Sequence, residues 1–103
     1  MGQVTLKISI NENDTTIGFT LEGRIVGPWV DELHRIWNDA APKLKGKRLW
    51  LDLRNVTYSD SEGKRVLRDI FRQTRAELRT SSAWSQYLAD EIKDTQVSSK
   101  AEA

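Results

Sequence analysis

Leu49-Trp50-Leu51-Asp52-Leu53, followed by Val56-Thr57-Tyr58-Ser59-Asp60-Ser61-Glu62-Gly63, is the stretch that decides the fold. The first five residues form a short, nearly continuous apolar run broken by Asp52. A run of this length without clean alternation predicts a central strand covered on both faces. Asn55 to Ser59 is expected to be a loop beyond the strand's carboxyl end, with Val56 and Tyr58 packing inward. Asp60 and Ser61 carry side-chain oxygens that can accept an orphan helix N–H, so a helix is expected from near Ser61. Val66, Leu67, Ile70, Phe71 and Thr74 mark its buried side at three- and four-residue steps.

Toward the amino terminus, Val4, Leu6, Ile8 and Ile10 alternate with Thr5, Lys7 and Ser9, which is the period of a half-buried strand. Asn11 to Asp14 is a polar turn. Thr15, Ile17, Phe19 and Leu21 then alternate with Thr16, Gly18, Thr20 and Glu22, so the two runs predict a hairpin. After a connection at Gly23 to Gly27, Pro28 suits the first turn of a helix, where its missing N–H is not needed. Trp29, Leu33, Ile36, Trp37 and Ala40 give that helix one apolar stripe, which is expected to be core. The helix should stop near Ala41, ahead of Pro42.

Toward the carboxyl terminus, Ala76 to Thr80 predicts a short last strand. Ser81 or Ser82 is a cap for a third helix carrying Trp84, Tyr87, Leu88 and Ile92. The expected fold class is therefore α/β: a small mixed β-sheet with helices packed on it, in the order β-β-α-β-α-β-α. One domain is expected over residues 3–95, with a flexible tail at 96–103.

Composition narrows the function classes. The 103 residues fit one domain, and the 38% hydrophobic and 30% charged content is that of a folded chain rather than a disordered one. Sixteen Lys and Arg against 15 Asp and Glu leave a net charge of +1, too little field to draw in nucleic acid. Cysteine is absent, which removes disulfides, thiolate metal sites and a cysteine nucleophile. No apolar run approaches the length of a membrane span, and the first ten residues look like a strand rather than a signal sequence, so a cytoplasmic protein without direct membrane insertion is expected.

Candidate chemistry is sparse. No glycine-rich nucleotide fingerprint is present, the single histidine, His34, reads as a helix-surface residue, and no cofactor or metal set is assembled. Asp52 and Asp60 could converge beyond the central strand for acid/base work, but loop anchoring by Asp52 through backbone hydrogen bonds is the preferred reading. Ser61 places a hydroxyl at the positive end of a helix, where a phosphate would gain from free N–H groups. Lys64, Arg65, Arg68, Arg72 and Arg75 lie on or beside the solvent face of that helix, either as a solvated face or as a docking surface.

The sequence resembles the STAS domain family of bacterial anti-sigma factor antagonists. The matching pieces are Leu21-Glu22-Gly23-Arg24-Ile25-Val26-Gly27-Pro28, Leu49 to Leu53, Val56 to Gly63, and Ala76-Glu77-Leu78, within a resemblance running from Val4 to Ile92. It implies a small sheet with helices on one side and a non-enzymatic protein that binds an anti-sigma kinase. By position, Ser61 corresponds to the phosphoacceptor, Asp60 to the carboxylate before it and Gly63 to the glycine of the first helical turn. Asp60, Ser61, Glu62, Gly63, Lys64, Arg65 and Arg68 would form the partner surface. Two positions depart from the family pattern: Glu62 replaces a small or hydroxyl residue, and Lys64 replaces a leucine. The carboxyl end is also shorter than in typical members, leaving a sheet edge that could pair in a homodimer. An unphosphorylated scaffold or accessory subunit of a signalling or phospholipid-transport complex is the alternative that the resemblance implies.

Overall fold

The alternate side chains of β1, β2 and the first half of β3 lie in a single apolar layer, and this determines where the helices go. The computed structural model describes residues 5–93. Its elements are β1 (Leu6–Glu12), β2 (Thr16–Ile25), α1 (Pro28–Ala40), a 3-10 turn (Ala41–Leu44), β3 (Arg48–Ser59), α2 (Ser61–Thr74), β4 (Glu77–Arg79) and α3 (Ala83–Lys93). The β-β-α-β-α-β-α order and the mixed sheet agree with the expectation. Val4, the bounds of the 3–95 domain and the 96–103 tail lie outside the described residues.

The sheet order is β1-β2-β3-β4, with β1 antiparallel to β2 and the other two pairs parallel. Asn13 shapes the hairpin turn: its side-chain oxygen accepts the N–H groups of Thr15 (2.9 Å) and Thr16 (2.8 Å). Asparagine favours such turns because its side chain can stand in for a backbone acceptor. The two parallel pairs need crossovers, which α1 and α2 supply.

Leu6 and Ile8 of β1, Ile17, Phe19 and Leu21 of β2, and Leu49, Leu51 and Leu53 of β3 face the helices. They meet Val30, Leu33, Trp37 and Ala40 of α1, Leu67 and Ile70 of α2, and Leu88 and Ile92 of α3. Trp37 packs edge-to-face on Phe19, with ring centroids 6.3 Å apart. The tryptophan stripe of α1 is thus core, with Trp29 partly buried against it.

Three expectations need correction. β3 does not stop at Leu53. It continues through Ser59, because β2 is long enough to pair with it as far as Ile25↔Ser59. Nor is β3 covered on both faces. Its second face carries Trp50, Asp52 and Arg54, and the apolar run arises because Trp50 lies over Gly18 of β2 and under the Arg79 guanidinium, 4.0 Å from a Trp50 ring centroid. A Cβ at position 18 would fall inside the Trp50 ring, so glycine is what lets the indole lie flat on the sheet. Finally, Val56 packs inward but Tyr58 does not; it is 46% exposed. The β2–β3 register shifts twice, between Thr20 and Glu22 and between Gly23 and Arg24, each time with an extra residue in β3; the second falls between Val56 and Tyr58 and turns Tyr58 outward.

Candidate functional site

Three chain segments converge on Asp60, the N-cap of α2. One carboxylate oxygen accepts the Gly63 N–H at 2.8 Å, and the other accepts the Gly27 N–H at 3.3 Å. The Asp60 N–H donates to the Ile25 carbonyl at 3.1 Å, and its carbonyl accepts the Lys64 N–H at 3.0 Å. One residue therefore ties together the end of β2, the entrance to α1 and the start of α2. An N-cap carboxylate is favourable here because it faces the positive end of the helix dipole.

Gly63 sits in the first turn of α2 and is buried. A Cβ there would lie 2.5 Å from the Ser59 Oγ and 2.9 Å from the Ile25 carbonyl oxygen. Glycine is thus required by the closeness of α2 to the ends of β2 and β3. The buried Ser59 hydroxyl donates to the Asp60 carbonyl at 3.1 Å.

Ser61 is the first residue of α2 and is exposed, as is Glu62. With Gly63 bonded to the cap, the N–H groups of Ser61 and Glu62 have no protein acceptor among the described residues. The Glu62 carboxylate lies 3.7 Å from the Arg65 guanidinium, one turn on. Between solvent-exposed groups such a pair is weak.

Lys64 and Arg68, expected on or beside the solvent face of α2, both reach α3. The Lys64 ammonium lies 3.6 Å from the Glu91 carboxylate and 5.6 Å from the centroid of the Tyr87 ring. The Arg68 Nε–H donates to the Glu91 carbonyl at 3.2 Å. Both side chains bind α3 to α2, because α3 packs along the side of α2 that carries residues 64 and 68. Glu62, Arg65, Asp69 and Arg72 are left on the exposed face, so the surface beside Ser61 alternates in charge rather than being uniformly basic.

Asp52 anchors no loop. It is 5% exposed within β3, and Arg54 satisfies it with its backbone N–H (3.1 Å), Nε–H (2.9 Å) and NH2 group (2.8 Å). These hydrogen bonds from Arg54 hold the Asp52 carboxyl below the usual carboxylate range, with Arg79 adding to the effect. The Asp52–Asp60 acid/base pair does not form either. Seven strand residues, 53–59, lie between the two, which is on the order of 20 Å along the chain. Among the described residues, no group of three or more His, Cys, Asp or Glu is placed to hold a metal, and no helix is long and apolar enough to cross a membrane.

Sequence reasoning missed Tyr58. Its ring is open to solvent near the start of α2, with the Arg24 guanidinium 5.3 Å from its centroid. No residue type in its own stretch signalled this: the extra residue lies in β3, where Val56 and Tyr58 pair with the adjacent Gly23 and Arg24 of β2.

No family model matches the chain, and no curated protein matches it. Among solved structures it is similar to an uncharacterized protein of the DUF3478 family from Shewanella loihica PV-4, described as having a SpoIIAA-like fold. Identity is 12%, the match covers 86% of this chain and 97% of that one, and the TM-score is 0.45.

Proposed function

We propose that this chain is a non-enzymatic regulatory protein that binds a kinase-like anti-sigma factor and is released from it by phosphorylation of Ser61. The observation that carries this reading is the exposed Ser61 hydroxyl at the first position of a helix whose start is fixed by Asp60 and Gly63. A phosphate on that oxygen would add about −1.5 to −2 charges. The free N–H groups of Ser61 and Glu62 would orient it. Arg65, one turn on, is available to exchange Glu62 for the phosphate. The partner surface comprises Asp60 to Gly63 and Arg65, with the exposed Tyr58 ring at its border. Lys64 and Arg68 support that surface through α3 rather than by touching the partner.

A phosphate at the centre of a docking surface weakens binding by like-charge repulsion and desolvation. The test is to incubate the chain with candidate anti-sigma kinases and ATP, locate phosphate by mass spectrometry, and titrate binding. Phosphate on Ser61, together with loss of the complex in both the phosphorylated protein and Ser61→Glu, is the expected result. Unchanged binding in these forms, with binding weakened by Arg65→Glu, would replace this reading with that of a scaffold subunit that is never phosphorylated. The fixed charge of Glu62 beside Ser61 favours that second reading.

A further inference from the structure

At the far end of α2 from Ser61, the amino ends of β2, β3 and β4 border a cleft of about 620 Å3. That volume lies within the range of small-molecule sites. Four cations line it, Lys47, Arg48, Arg75 and Arg79, against one carboxylate, Glu77. Lys47 is engaged by Glu12 at 2.8 Å, and Arg79 lies 3.6 Å from Glu77. Arg48 and Arg75 are exposed and have no carboxylate within ion-pair distance among the described residues. The chain thus assembles more positive charge here than its own side chains neutralise, although its net charge is only +1.

Position and strain add to this. Arg75 holds a left-handed backbone (φ 55°, ψ 42°) at the C-cap of α2, where glycine is the usual residue. It is the one non-glycine residue with positive φ among those described. Its guanidinium lies 5.5 Å from the centroid of the Phe71 ring. Trp50 forms an aromatic wall, but Gly18 lies beneath it and Arg79 above it, so no free ring face is left for a base to stack on. The negative end of the α2 dipole, about half a charge, is outweighed by the cations.

We propose that this cleft binds a small oxyanion carrying two to three negative charges on phosphate or carboxylate groups, with Arg48 and Arg75 as its principal ligands. Guanidinium groups suit such oxygens because their planar donors can bond two at once. The site is independent of Ser61 and of the partner surface.

The test is to titrate the full chain with sodium pyrophosphate and, separately, sodium citrate at constant ionic strength, following affinity by calorimetry and position by amide and indole NMR shifts. Saturable one-to-one binding that moves the Trp50 indole resonance is expected, tighter pyrophosphate binding assigning phosphate and tighter citrate binding assigning carboxylate. The double variant Arg48→Gln/Arg75→Gln should lose affinity by about tenfold or more, while Arg35→Gln, on α1, should not. Circular dichroism of each variant checks that the fold is kept. Failure of both anions to saturate, an unaltered affinity in the folded double variant, or shifts confined to the amides of Ser61 and Glu62 would overturn the proposal.

Discussion

The two ends of α2 are built on opposite principles. The amino end is held by backbone: Asp60 gathers N–H groups from two elements, and Gly63 lets main chain and Ser59 approach where no Cβ fits. The carboxyl end borders a cleft lined by side-chain charge: Arg48, Arg75 and Arg79 surround it, and Arg75 keeps a backbone conformation that costs stability. The first end tolerates little change and presents one fixed hydroxyl. The second carries two cations, Arg48 and Arg75, that no carboxylate of the described residues engages. A substitution at the amino end should therefore be read first in stability, and one at the carboxyl end first in binding.

Gly63→Ala is the severest way to break this contrast. The added methyl meets the Ile25 carbonyl as well as the Ser59 side chain, so backbone must move, and a loss of about 3 kcal/mol in denaturant unfolding is expected, the upper end for over-packing. Asp60→Ala removes the cap and the acceptor of the Gly27 N–H. It should cost about 1–2 kcal/mol, with faster amide exchange in the first turns of both α1 and α2.

The open sheet face offers a charge-based counterpart in Asp52. Its carboxyl is depressed in the fold by hydrogen bonds from Arg54, so its stabilising contribution is complete above the unfolded-state value of about 4. It is lost as pH falls through the lower folded-state value. Asp52→Asn should flatten the acid limb of a stability–pH curve below about pH 4 and leave its shape near neutrality unchanged.

Arg75→Gly should act with the opposite sign. Relief of about 1 kcal/mol of left-handed strain is partly offset by the freer unfolded chain, leaving a gain of about 0.5 kcal/mol in thermal melts while anion affinity falls. A net loss of stability would show that Arg75 supports the fold rather than the cleft. Ser61→Ala should change stability least, within about 0.5 kcal/mol as for exposed surface positions. A larger loss would mean that the hydroxyl is part of the helix start.

Much of the fold was legible along the chain. The alternation of Ile17, Phe19 and Leu21, the stripe of Leu33, Trp37 and Ala40, and Pro28 in a first turn are short-range patterns set by strand and helix periods, and the structure follows them. The start of α2 at Ser61 was also legible, since an N-cap is written in one or two residues. The course of β3 beyond Leu53 was not, because the pairing that extends it includes two register shifts against β2, each with an extra residue in β3. The role of Lys64 and Arg68 was hidden for a related reason: only the packing of α3 distinguishes a cation facing Glu91 from one facing solvent.

Sequence alone determined the element order, the apolar faces and the exposed serine at a helix start, because each follows from residue type and spacing over a few positions. Tertiary structure decided which face of the sheet stays open, the outward turn of Tyr58, and the gathering of Lys47, Arg48, Arg75 and Arg79 around one cleft. Those outcomes depend on residues that become neighbours only when separate strands align. No local pattern encodes that alignment.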